Sequence, residues 1–218
     1  MKEGIEQRLR EIVQVSTRRA AKAEWEEAAL NQKVPLYNYR GNHCDEVVDL
    51  AKHLAEGTDA DMDVITFAAY LHDLAKPGVG GISAEQHGIV SAEMAEEILT
   101  QERIDHKTIE KVSDVIRKHV GLTLKKPLKP IEAQIIWEAD KILKLGMIGI
   151  IQGLLNGTRL FPGRSTKRIA DDIREFLSLA KSISDSVVTE RGRTMAQDRL
   201  RTLQELSAAL DRELQPNQ

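Results

Sequence analysis

Six residues of this chain have the side chains and the placement to hold metal ions: His43, the adjacent pair His72-Asp73, His87, His119 and Asp140. Each falls on the apolar face of a helical pattern, where buried positions recur every three, four and seven residues. His43 shares its face with Val47, Leu50 and Leu54, and His72 with Ala68 and Ile65. His87 lines up with Val90, Ser91, Met94 and Ile98, and His119 follows Val112, Val115 and Ile116. Asp140 lies with Ala133, Ile136, Trp137 and Leu143. One inward histidine is ordinarily a core residue with a satisfied hydrogen bond. Asp140 alone would read as an ion pair with Lys144, one turn on. Taken together, these imidazoles and carboxylates exceed what a core tolerates, because a buried carboxylate needs a cation or a full set of donors. A shared metal site satisfies them all. Imidazole with carboxylate suits iron, manganese, zinc, nickel or cobalt better than magnesium or calcium. His53 and His106 do not fit the pattern and read as ordinary residues.

The elements that must carry these residues are helices. A charged amphipathic helix is expected over 5–32, broken by the stretch 34–41. Asn42 reads as the N-cap of a helix from His43 to about Glu56, stopped by Gly57. The next helix is expected from Asp61 to Lys76, where Pro77 ends it. Adjacent helical residues point ~100° apart, so His72 and Asp73 meet one ion only at a helix end, unless Asp73 bridges two ions. Ser83 with Gln86 is a capping-box signature for a helix over 84–101. Helices over 106–119 and 131–145 follow, separated by a loop with Lys125, Lys126 and Lys129. An apolar, glycine-punctuated piece covers 146–155, and 156–163 reads as a loop. Ser165 caps a helix to about Arg191, and a last helix spans 194–213. No stretch alternates as a strand would, so the expected fold class is all-α.

The totals narrow the field. With 218 residues, of which 41% are hydrophobic, the chain suits one domain over 1–218. A net charge of −3 argues against general nucleic-acid binding. The single cysteine, Cys44, rules out an internal disulfide and a cysteine zinc site. No apolar run approaches the ~18 residues of a membrane span, and a soluble cytoplasmic protein is expected.

The order His43 … His72-Asp73 … His87 … His119 … Asp140 resembles the His-Asp (HD) superfamily of metal-dependent phosphohydrolases in its binuclear form. The local text agrees: Leu71-His72-Asp73-Leu74-Ala75-Lys76, His87 followed by Ser91-Ala92-Glu93, Ile116-Arg117-Lys118-His119, and Glu138-Ala139-Asp140-Lys141. The resemblance covers about 36–150 and implies an HD-type helical bundle, with 160–218 as a helical extension packed on it. It implies that His43, His72, Asp73 and Asp140 hold a first ion, and His87 and His119 a second, with Asp73 bridging. Ala75 stands where the family's motif has glycine. The tyrosine-proline signature of the cyclic-dinucleotide branch and the acidic pair of alarmone hydrolases are absent.

The activity so implied is hydrolysis of a small-molecule phosphoester, with a nucleotide the favoured substrate, by a metal-activated hydroxide and one or two divalent ions, iron or manganese first. Asp73 and Lys76 are the catalytic candidates. Lys76, Arg40, Lys118 and Lys144 are the candidates for substrate contact, although a helix-end lysine or a surface arginine has an ordinary structural reading too. Two other classes compete: a di-iron oxygenase on the same ligands, and a non-catalytic metal-binding regulatory module. The apolar stripes of the C-terminal helices would serve a homodimer or cover their own core.

Overall fold

The computed structural model describes residues 2–28, 38–75, 80–160 and 164–214, with nine helices and no strand among them. The helices are α1 (Lys2–Ala28), α2 (Tyr39–Ala55), α3 (Met62–Leu71), α4 (His87–Gln101), α5 (His106–Lys118), α6 (Ile131–Ile142), α7 (Gly146–Leu160), α8 (Thr166–Ser186) and α9 (Glu190–Leu214). The all-α expectation holds. Two compact units are distinguished: Met1–Gly121 with Pro127–Ala139, and Leu122–Lys126 with Asp140–Gln218. No helix is long and apolar enough to cross a membrane among the described residues.

In the first unit α3 is the hub. It packs on α1, α4 and α5 and most extensively on α2, and α4 packs on α5. Val64 to Leu71 are all buried, in keeping with a run that is apolar apart from Thr66 and the Tyr70 hydroxyl. Asp61 caps α3 by accepting from the amides of Asp63 (3.2 Å) and Val64 (3.4 Å). Its other oxygen takes Lys111 Nζ at 3.0 Å, which ties α5 to the start of α3. The Asp61 amide in turn donates to Glu132 Oε1 at 2.8 Å. The first turn of α6 is thereby tied to the same cap.

Several boundaries differ from the sequence expectation. The helix carrying His43 begins at Tyr39, capped by Asn38 rather than Asn42. Asn38 accepts from the Gly41 amide while its own amide donates to Thr17 (2.9 Å) and Gln14 (3.1 Å) of α1, so a tertiary contact chooses the cap. Asn42 instead donates to Glu46 within the helix, at 2.8 Å. The helix expected to reach Lys76 ends at Leu71, with His72 as C-cap. Residues 156 to 160, expected as loop, continue α7. The break expected near Arg191 falls at 187–189.

The early end of α3 is what frees the His72-Asp73 turn, and α4 holds that turn. The Ala75 amide donates to Ser91 Oγ at 3.0 Å, and Ser91 is fully buried one turn beyond His87. Gly88 lets α4 approach the end of α5: a Cβ there would lie 2.5 Å from Val120 Cγ2 and 3.3 Å from the Ile116 carbonyl oxygen. The capping box is present, with Ser83 N on Gln86 Oε1 (3.3 Å) and Gln86 N on Ser83 Oγ (3.2 Å). It closes a turn ahead of the helix rather than capping it: α4 begins at His87, not at 84, with Gln86 in the N-cap position and no side-chain cap bond.

In the second unit α7 and α8 each pack on α9. Ser165 caps α8 by accepting from Arg168 N at 3.2 Å. At Gly146, φ is +69°, and a Cβ would crowd Arg199 at 3.1 Å, so glycine suits the turn on both counts.

Two outcomes follow for stability. Ser91→Ala leaves the buried Ala75 amide without its acceptor and is expected to cost about 1–3 kcal/mol. Gly88→Val forces α4 and α5 apart at a similar ~1–3 kcal/mol. Thermal unfolding checks both, and unchanged midpoints would refute the tight junction. Burial pushes the Asp61 carboxyl pKa up, but Lys111 and the two capping amides outweigh it and hold the group below its usual range. A depressed carboxyl stabilises the fold above its unfolded pKa, so that contribution is present above about pH 4 and is lost as pH falls through the folded pKa. The gap in unfolding midpoint between the wild type and Asp61→Asn should be full near neutrality and close as pH falls through the lowered pKa of the folded-state carboxyl.

Candidate metal centre

His43 is on α2, His72 caps α3 with Asp73 in the turn that follows, His87 opens α4, and His119 caps the end of α5. Helix ends therefore deliver most of the cluster. The imidazole rings stand edge to face in a row: His43 to His72 at 5.7 Å between centres, His72 to His119 at 5.1 Å, and His119 to His87 at 4.9 Å. His72 and His119 are fully buried, and Asp73 is 5% exposed.

The Asp73 carboxylate is shared between two sets of imidazoles. Its Oδ2 faces His72 Nε2 at 3.5 Å and His43 Nε2 at 3.9 Å. Its Oδ1 faces His87 Nε2 and His119 Nε2, both at 3.7 Å. These separations are too long for hydrogen bonds. The ligand atoms of His43, His72 and Asp73 lie within 4.8 Å of one another, as do those of Asp73, His87 and His119.

Backbone carbonyls settle which nitrogen faces inward. Nδ1 of His72 lies 2.8 Å from Ala69 O, Nδ1 of His87 lies 2.6 Å from Ala84 O, and Nδ1 of His119 lies 2.6 Å from Ile116 O. A carbonyl only accepts, so each Nδ1 carries the proton and each Nε2 presents a lone pair in the neutral ring. His87 Nε2 and His119 Nε2 are 3.1 Å apart. Two lone pairs at that distance repel unless a cation or a proton stands between them. Ligand bonds of ~2.1 Å put donor atoms ~3.0 Å apart at a right angle and ~4.2 Å apart in line. The individual separations of 3.1–3.9 Å fall in that interval, so the donor set around Asp73 fits a divalent metal. The backbone carbonyl on each distal nitrogen is the outer-shell partner that metal-binding histidines require.

The other candidates are placed as follows. Asp140, near the end of α6, is outside both trios; its carboxylate is bound by Lys141 Nζ and by Lys144 Nζ at 3.0 Å. Burial pushes the Lys141 pKa down, with Asp140 acting against the shift and Lys144 adding to it. Lys144 thus takes the ion-pair role that its spacing allowed. Arg40, read as a surface residue, is 6% exposed on α2, three residues before His43, with its guanidinium carbon 5.5 Å from the centre of the Tyr39 ring. Lys118 donates to Asp114 Oδ2 at 2.6 Å and to the Lys129 carbonyl at 2.8 Å, so it ties down the 127–130 loop. Lys76 lies outside the described residues. His53 and His106 are exposed and outside both trios, as expected. Sequence reasoning placed Ser91 on the His87 face without its role. The signal was the four-residue spacing from His87, but its partner amide is remote in sequence.

Known proteins bear on this geometry. Residues 40–145 match the HD domain family. An 84-residue stretch is 36% identical to the tRNA (cytidine(56)-2'-O)-methyltransferase of Thermoplasma volcanium, covering 38% of this chain and 22% of that protein. The match thus spans less than a quarter of that relative. In fold the chain is similar to an HD-superfamily hydrolase from Bacillus thuringiensis, at 18% identity over 100% of both chains with a TM-score of 0.67. It is similar also to YpgQ of Bacillus subtilis, solved in complex with ADP, at 18% identity over 95% of this chain and 97% of that one, with a TM-score of 0.68. At these identities the structural likeness is one of fold, while the HD domain match takes in His43, His72, Asp73, His87, His119 and Asp140 alike.

Proposed function

We propose that this chain is a metal-dependent phosphohydrolase of the HD superfamily that acts on a nucleotide phosphoester. The observation that carries the reading is Asp73, whose two oxygens each face a separate pair of imidazole nitrogens at 3.5–3.9 Å. A carboxylate so divided suits a bridge between two ions. His43 and His72 would hold one ion, His87 and His119 the other. Asp140 joins the first by its place in the motif, where Lys141 and Lys144 now balance its charge. Such ions supply Lewis acidity toward a phosphoryl oxygen and lower the pKa of water.

The chain's own residues do the rest. The carbonyls of Ala69, Ala84 and Ile116 keep Nδ1 protonated, so the rings need no rearrangement to bind. Burial of His72, His119 and Asp73 keeps the field around the phosphoryl group poorly screened. Arg40, close to His43 and buried, is suited to hold a phosphate oxygen. Lys76 and Lys144 remain proposed contacts to substrate, while Lys118 has partners that give it a structural task. The ADP complex of YpgQ, which shares the fold, supports a nucleotide over other phosphoesters.

Metal analysis of protein purified without chelator is expected to give two ions per chain. His87→Ala or His119→Ala should reduce this to one, and Asp73→Ala should weaken both sites. With Mn²⁺ or Fe²⁺ added, a screen of mono-, di- and triphosphate nucleotides should show phosphate or pyrophosphate release, lost by ~10²-fold or more in Asp73→Ala. Absence of any turnover that depends on Asp73 would overturn the reading.

A further inference from the structure

The apolar stripes of the last two helices are used within the second unit: α8 packs on α9, with Ile173, Ala180 and Ile183 of α8 and Ala196 and Leu203 of α9 buried. The exposed apolar face is on α7. Residues 147–157 include Met147, Ile148, Ile150, Ile151, Leu154 and Leu155, yet not one residue of that stretch is buried. Met147, Ile148, Ile151, Leu154 and Leu155 are 39–47% exposed, and they make up half of the ten exposed large apolar residues among those described. Spaced i, i+1, i+4, i+7 and i+8, they share one helical face. A continuous apolar face in water marks an interaction surface. We propose that this face of α7 pairs with the same face of a second copy of the chain, in a reversible homodimer about a two-fold axis.

Charge selects the partner. Residues 147–157 carry no charged side chain. Two such faces meet without like-charge repulsion, whereas a charged partner would bury its ions unpaired. A lipid surface is the wrong occupant for the same reason. A helix that lies on a membrane carries lysine or arginine along its polar side, and the polar side chains of this stretch are Gln152 and Asn156.

Shape and area agree. A two-fold contact needs a patch that complements itself, with ridge and hollow side by side. Leu154 belongs both to the exposed stripe and to the wall of a cavity of about 590 Å³ between α7 and α8, whose apolar lining includes Ile150, Ile169, Ile173 and Phe176. Ridge and hollow therefore adjoin. The charges on the cavity wall are already neutralised, since Lys144 donates to Asp140 at 3.0 Å and Arg164 binds Asp172 at 2.5 Å. What the hollow can take up is apolar, and the stripe of a second copy supplies it. The 15 residues of α7 span ~22 Å, and with α8 beside it the face is ~20 Å wide, so each copy offers on the order of 450 Å² and the pair about 900 Å². Stable interfaces bury about 1,200–2,000 Å² and transient ones less, so this dimer forms at micromolar rather than nanomolar concentration. The pairing stands apart from the phosphohydrolase reading, because no stripe residue is a candidate metal ligand.

Sedimentation equilibrium of the full-length chain across the micromolar range tests this. The mass should rise with concentration from 24.4 kDa toward twice that value. Ile151→Glu sets a charge at the middle of the stripe in both copies and should weaken association ~10²-fold. The unfolding midpoint of the dilute chain should not change, because Ile151 is exposed there. Leu155→Ala keeps helix propensity and should weaken association several-fold, so it decides the matter if Ile151→Glu fails to fold. Val15→Glu makes the same change at a 53% exposed residue of α1 and should associate as the wild type does. A chain that stays monomeric throughout, or a dimer that Ile151→Glu and Leu155→Ala leave intact, overturns the proposal. An equal loss in Val15→Glu overturns it too. So does a monomer that instead binds vesicles of phosphatidylcholine and phosphatidylglycerol and loses that binding in Ile151→Glu.

Discussion

A buried carboxylate with imidazole nitrogens around both of its oxygens is the constraint on which the first unit depends. Asp73 is 5% exposed, and its charge has lost most of its hydration. Around it stand histidines whose distal nitrogens are committed to backbone carbonyls, which turns lone pairs toward the carboxylate. Negative charge facing lone pairs is unfavourable without cations. The packing of this unit holds that arrangement open in readiness for them.

Several local features serve that end. If α3 continued to Lys76, His72 and Asp73 would diverge by ~100°. Ending it at Leu71 lets both turn to one cluster, and Ser91 takes the amide that the lost helical turn leaves over. Gly88 allows the α4–α5 approach that sets His87 Nε2 3.1 Å from His119 Nε2. The carbonyl that would be crowded by a side chain at position 88, that of Ile116, is the one that orients His119. Packing and ligand geometry are therefore one problem at this junction.

The second unit contributes a different chemistry. Its helices α7 and α8 border a cavity lined mainly by apolar side chains, with a few polar groups among them.

The sequence by itself determined the helical class, the Ser83–Gln86 hydrogen-bonded pair, the cap of Ser165 on α8, and four histidines grouped with Asp73. Those follow from periodicity and from residue chemistry that acts over a few positions. The start of α2 at Tyr39 was not legible, because Asn38 is selected by Gln14 and Thr17 across a long separation in sequence. The burial of Arg40 and the anchoring of Ala75 by Ser91 were hidden for the same reason. Likewise, the six-residue order pointed to a bridge at Asp73 but could not say which oxygen met which ring. That division, Oδ2 toward His43 and His72 and Oδ1 toward His87 and His119, exists only once α2, α3, α4 and α5 have packed, since it depends on directions in space that no spacing along a chain encodes.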